Sequence, residues 1–221
     1  MSKFLEAIKN QDYYENYLTR FITNSNAIEG NTLSYAETYS ILFVDESLPL
    51  QNVNPRELYE VINLKYSLTY SLKNTGKLDN GIIIKINELI NKNIKDTTGF
   101  RKGKVFIKGA DFVPPEPFLV PSKMSELLYN YENSDLPLIE NIANFHINFE
   151  RVHPFEDGNG RTGRVLITHE LISRGEIPIV IPEERRTEYF EYLANYDIEG
   201  LAHMIRELQQ VELNKMKEYG V

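Results

Sequence analysis

The chain has no cysteine, which excludes disulfides, thiolate metal sites and a cysteine nucleophile, so any chemistry falls to other side chains. It also lacks an apolar run near the roughly 20 residues that a membrane span needs. Its first residues, MSKFLEAIKNQDYYENY, have no signal-peptide core. A soluble, cytoplasmic protein is the expectation. Positive charge is scarce: 24 Lys and Arg against 32 Asp and Glu give a net charge of −8. A broad footprint on nucleic acid or an anionic membrane is thereby excluded, and a bound polyanion has to be held locally. No repeat, low-complexity tract or Ser/Gly linker interrupts the 221 residues, so one domain over 1–221 is expected.

What is present is mostly helical period. Ser34 to Glu37 and Asn54 to Glu57 both have capping-box spacing, the second with Pro55 at the first helical position. Ile139, Ile142, Ala143, His146 and Phe149 form one core stripe, and Leu201, Met204, Ile205, Leu208 and Val211 another. Further helices are expected over 4–29, 82–95, 122–133, 161–174 and 183–196. One region departs from this pattern. Residues 99–121 carry β-branched and aromatic side chains around Gly103 and Gly109, then Pro114, Pro115 and Pro117, and predict a short hairpin over Lys104 to Ala110.

The chemistry concentrates in His153-Pro-Phe-Glu-Asp-Gly-Asn-Gly-Arg-Thr-Gly-Arg164. Pro154 disfavours the α conformation at His153, which should end the preceding helix and present the imidazole at a loop edge. Gly158 and Gly160 let the backbone turn with its N–H groups exposed ahead of a helix, an anion cradle. Arg161 and Arg164 share a helix face and can clamp phosphate oxygens, and Asp157 can give Mg²⁺ its carboxylate. Each part alone has an ordinary reading as a cap, a turn or a solvated face; their order in one stretch is what carries weight. Gly158 to Gly163 also spells G-x-G-x-x-G, but the preceding segment has helical rather than strand period, so a dinucleotide fold is not supported. His169-Glu170 lacks the second histidine of a zinc-protease helix.

This stretch resembles the Fic family signature, H-P-F-x-[DE]-G-N-G-R-x-x-R, at every specified position. The resemblance implies an all-α Fic-type bundle with a short β-hairpin flap, over about 99–121, next to the active site. It implies a protein adenylyltransferase that moves AMP from Mg-ATP to a Ser, Thr or Tyr hydroxyl of a target protein, the chain itself included. His153 would be the catalytic base and Asp157 the Mg²⁺ ligand. Gly158, Asn159 and Gly160 would form the anion hole, with Arg161, Thr162, Gly163 and Arg164 completing the phosphate site. Ile107, Lys108 and Gly109 of the flap would align the target. Tyr189 and Asn195 fall near the family's adenosine contact, although by period alone they read equally as core or surface.

Ser25-x-x-x-Glu29-Gly30 resembles the family's inhibitory motif, placed in an N-terminal helix of about 4–31. The implied brake is a Glu29–Arg164 pair that takes the donors a γ-phosphate needs. Removal of AMP, transfer of another nucleotide, or a silent nucleotide-binding module remain as alternatives, and a homo-oligomer stays open.

Overall fold

The computed structural model describes residues 3–44, 53–96, 98–106 and 112–221. Ten α-helices follow in order among them: α1 (Lys3–Ala7), α2 (Gln11–Ala27), α3 (Tyr35–Phe43), α4 (Pro55–Lys73), α5 (Asn80–Asn91), α6 (Val120–Glu132), α7 (Leu138–Val152), α8 (Asn159–Ser173), α9 (Arg186–Asn195) and α10 (Ile198–Glu218). The expected all-α architecture is found. The single helix expected over 4–29 is two, because Asn10 caps α2 by accepting from the Tyr13 amide and forces a turn there. Ser34 closes the expected reciprocal capping box with Glu37. Asn54 does cap α4, through the Arg56 amide, but Glu57 turns away to accept from the amide and hydroxyl of Thr32. That bond ties α4 to the turn after α2 instead of closing a box. The 183–196 segment opens as a 3₁₀ turn, Glu183–Arg185, before α9.

α8 is the central helix. Every residue from Arg161 to Ile172 is buried, with α2, α4, α5 and α7 packed around it. A helix enclosed on all sides must satisfy its polar groups internally. Thr162 accepts from Asn87 at 3.1 Å, His169 lies 3.2 Å from the Ser71 hydroxyl and 3.1 Å from the Gly76 carbonyl, and Glu170 accepts from Tyr131 at 2.6 Å. The α7 stripe packs inward as expected, with Ile142, Ala143, His146 and Phe149 buried. In α10 the stripe ends differently: Val211 is exposed, and Glu212 takes the inward position four residues after Leu208. Its carboxylate accepts from Tyr13 at 2.7 Å and from both arms of Arg20 at 2.8 Å, fastening the C-terminal helix to α2.

The segment between α5 and α6 contains no strand among its described residues, so the hairpin is not formed at Lys104 to Phe106. Gly103 and Pro115 offer their carbonyls to the Arg101 guanidinium instead of to a ladder, and Phe106 and Val113 are exposed. A two-stranded ribbon without a packing surface is marginal. Ile107, Lys108 and Gly109 lie outside the described residues.

Candidate active site

α7 stops at His153, whose backbone is left-handed (φ 48°, ψ 62°) and whose amide still donates to Phe149 at 3.0 Å. The imidazole is half-buried at the loop edge, as the following proline demands. Its Nδ1 lies 3.4 Å from the Glu150 carbonyl. A proton on Nδ1 in that contact leaves Nε2 as the free acceptor. Burial pulls the His153 pKa below the ordinary histidine value, with the Arg101 charge acting in the same direction and the Glu150 contact, Glu29 and Asp157 opposing it.

The loop after His153 is rigidly held. Phe155 is buried against Phe100 and Phe149. Both ends of the Asn159 amide bind the Phe155 main chain at 2.9 Å, and the Asp157 carbonyl accepts from Asn87 at 2.9 Å and Asn91 at 3.1 Å. Gly158 has φ 76°, and a Cβ there would come within 3.0 Å of Asn91 and Ile90. Glycine is thus required both by conformation and by space. α8 begins at the next residue, so its first-turn N–H groups, which have no helical acceptors, head the cradle.

Glu29 stands at this helix start. Its Oε1 accepts from Arg164 Nη2 at 2.7 Å, and Arg164 also donates to Ser25 Oγ and to the Ser25 carbonyl, both at 2.8 Å. A Cβ on Gly160 would run into the Glu29 carboxylate and lie 3.1 Å from Arg164. Gly30, in the left-handed region at φ 97°, turns the chain after α2, and Arg186 binds the Ile28 carbonyl at 2.7 Å. Ser25 and Glu29 therefore meet Arg164 of the signature helix, and Gly30 turns the chain beside them. Opposite them, Asp157 is within 3.1 Å of Arg56 and 3.7 Å of Arg161, while Arg161 is 3.2 Å from Glu60. Arg161 is buried in this cluster and steadies the acidic group, while its Nε and Nη1 make no hydrogen bond among the described residues.

Several expected site residues do other work. Asn159 binds the Phe155 main chain through both ends of its amide, so its side chain staples the loop. Thr162 is buried on Asn87. Gly163 gives α7 room: a Cβ there would collide with Glu150 and stand 2.7 Å from the His146 ring. Tyr189 is fully buried, its hydroxyl 2.7 Å from His146 Nε2, and Asn195 is exposed at the end of α9. Burial drives the His146 pKa down to about 3, helped by the Arg164 charge. It pushes Glu150, which has one oxygen buried without a partner, up to about 8 against the pull of Arg164.

Sequence reasoning missed Asn87 and Asn91, whose signal was two amides a turn apart among Ile83, Ile86 and Ile90 on an apolar helix. It also missed Arg101. Nothing marks that residue among the neighbouring lysines, yet it is buried while Lys102 and Lys104 are exposed.

Residues 77–171 match the model of the Fic/DOC family. The chain is 28% identical over 200 residues to a protein adenylyltransferase Fic of Drosophila persimilis, which aligns with 87% of this chain and 38% of that protein. The Drosophila melanogaster protein of the same name is also 28% identical, over 197 residues, covering 86% of this chain and 38% of its own length. The chain thus spans about 38% of the length of these relatives. Among solved structures, a Fic-domain signaling protein from Bacteroides thetaiotaomicron superposes with TM-score 0.79 at 25% identity, covering 97% of this chain and 89% of that one. A Fic family protein from Desulfovibrio desulfuricans gives TM-score 0.80 at 27% identity, with 95% and 67% covered.

Proposed function

We propose, for a chain whose residues 77–171 belong to the Fic/DOC family, that it transfers AMP from ATP to a hydroxyl side chain of a protein and that Glu29 restrains this activity. The observation that carries the reading is the junction of α7 and α8. A left-handed His153 and a left-handed Gly158 bring an imidazole, an acidic group and a helix N-terminus together, with Arg164 one turn inside.

The substrate hydroxyl gives its proton to His153 Nε2 as its oxygen attacks the α-phosphorus, and the bond to the leaving pyrophosphate breaks. A base that burial keeps uncharged near neutral pH suits this role. The first-turn amides of α8 hold phosphate oxygens. Arg164, once free of Glu29, supplies a forked donor to the terminal phosphate.

Asp157 fits Mg²⁺ as a single protein carboxylate whose remaining positions go to phosphates and water, the usual mode for this ion. Its side chain is 28% exposed, and no cluster of three or more His, Cys, Asp or Glu side chains competes among the described residues. When bound, the ion would offset phosphate charge. Arg161 and Arg56 flank Asp157 and orient it.

Glu29 opposes this arrangement by placing its carboxylate against Gly160 and Arg164, where phosphate charge must go. No helix of the described residues is long and apolar enough to cross a membrane, and we place the protein in the cytoplasm, acting on a protein target or on itself.

The test is label from α-labelled ATP with Mg²⁺, followed on the protein itself and in a lysate, for wild type, Glu29→Gly and Glu29→Gly/His153→Ala. Incorporation that rises with the first change and vanishes with the second is expected. No label in any variant overturns the reading, and parallel incubations with other nucleotides and with AMP-modified protein then identify the alternative chemistry.

A further inference from the structure

Arg101 is 4% exposed, and among the described residues every hydrogen bond its side chain makes goes to a main-chain carbonyl. Nε donates to His153 at 2.8 Å, Nη1 to Gly103 at 3.0 Å, and Nη2 to Pro115 at 2.5 Å with Val152 at 3.5 Å. Its own amide donates to the Pro154 carbonyl at 2.9 Å. One residue thus grips Val152, His153 and Pro154 together with both arms of the 99–121 segment. The nearby Glu116 is engaged by Lys104 at 2.8 Å and forms no ion pair with Arg101.

Two features make this more than packing. Among the described residues Arg101 has no ion-pair partner, and burial lowers its pKa, with the more distant Glu116 charge opposing. Tying carbonyls together needs donors but no charge. The left-handed backbone of His153 is likewise unfavourable for a residue with a Cβ and persists only where its surroundings over-determine it. The Nε bond lands on the carbonyl of that strained residue.

We propose that Arg101 is a positioning residue for His153: it holds the left-handed turn that aims the imidazole, and it links the 99–121 segment to that turn. The inference rests on His153 being the base of the proposed reaction. The charge contributes as well. The groups acting on the imidazole among the described residues are the Glu150 carbonyl from α7, Glu29 from the turn after α2, Asp157 from the loop and Arg101. Arg101 is the cation among them.

The experiment compares Arg101→Gln and Arg101→Lys in the Glu29→Gly background, by transfer kinetics against pH and by NMR titration of the His153 ring, assigned with His153→Ala. Arg101→Gln should lower kcat on the order of a hundredfold, the scale of a misplaced catalytic group. KM for ATP should change little, because Arg101 lies away from the phosphate cradle. The acid limb of the rate profile and the His153 titration should both move to higher pH. Arg101→Lys keeps the charge without the fork, so it should leave the titration near the parent's while kcat stays low. A lower unfolding midpoint with unchanged kcat, pH profile and titration would reduce Arg101 to a structural residue and overturn the proposal. If the parent transfers no label, the adenylyltransferase reading fails by itself. The His153 titration still decides about Arg101: a midpoint unmoved by Arg101→Gln sinks the inference.

Discussion

Glu29 and Arg164, 135 residues apart in sequence, meet at 2.7 Å over the first turn of α8, and a Cβ on Gly160 would strike the same carboxylate. The pair therefore occupies space as well as charge. Glu29→Gln removes the charge and keeps the bulk, whereas Glu29→Gly removes both. Glycine should raise AMP transfer on the order of a hundredfold, the range of a restored transition-state donor, with glutamine between it and wild type. Labelled AMP incorporation at saturating ATP checks the order, and equal rates for glutamine and wild type would show that bulk alone restrains the site.

Gly160 and Gly163 differ by less than one helical turn and should respond oppositely to alanine. At Gly160 the intruding Cβ meets the flexible end of Glu29, and alanine favours a helix by about 1 kcal/mol. Stability should hold or rise while nucleotide binding is lost. At Gly163 the Cβ meets Glu150 and the His146 ring inside the α7–α8 contact, so overpacking should cost about 1–3 kcal/mol. Urea unfolding separates the two, and calorimetric titration with Mg-ATP reads the binding.

Asn159→Ala deletes both bonds to Phe155. Leaving that buried main chain unpaired should cost about 1–3 kcal/mol, seen as a lower denaturation midpoint. A variant as stable as wild type with weaker nucleotide binding would return Asn159 to the anion hole.

The pH dependence of stability has two limbs near the site. His146 has its folded pKa lowered to about 3, below the unfolded value near 6.5. Its stabilisation is present above about pH 6.5 and is lost as the pH falls toward about 3, because the unfolded chain takes up the proton first. Glu150, raised to about 8, acts the other way: its contribution is full below the unfolded value of about 4.3 and is lost as the pH rises through about 8. His146→Gln should flatten the acid limb and Glu150→Gln the alkaline limb in urea unfolding measured across pH.

The helical class, the end of α7 at His153 and the nearness of Ser25 to Glu29 at the end of α2 were legible because each depends on local pattern: period, a residue before proline, a four-residue spacing. Partner choice was not. Arg161 turning to Glu60 and Glu57 reaching Thr32 are decided by which elements pack together. Asn10 shows the same limit on a smaller scale, a single cap splitting a continuous helical period. Tyr189 was ambiguous for the same reason, since an aromatic at helical spacing can face a ligand or a neighbour, and here it faces His146.

α2, which delivers Glu29, is no detachable arm. Tyr13, Tyr17, Leu18, Phe21 and Ile22 are buried along it, Glu212 grips Arg20, and Arg186 caps its far end. Lifting it away would amount to unfolding the domain. Under the proposed restraint, release would be a side-chain event, a rotation of Glu29 about its own bonds, with a tempo set by rotamer exchange and ligand arrival rather than by the slower movement of a whole element.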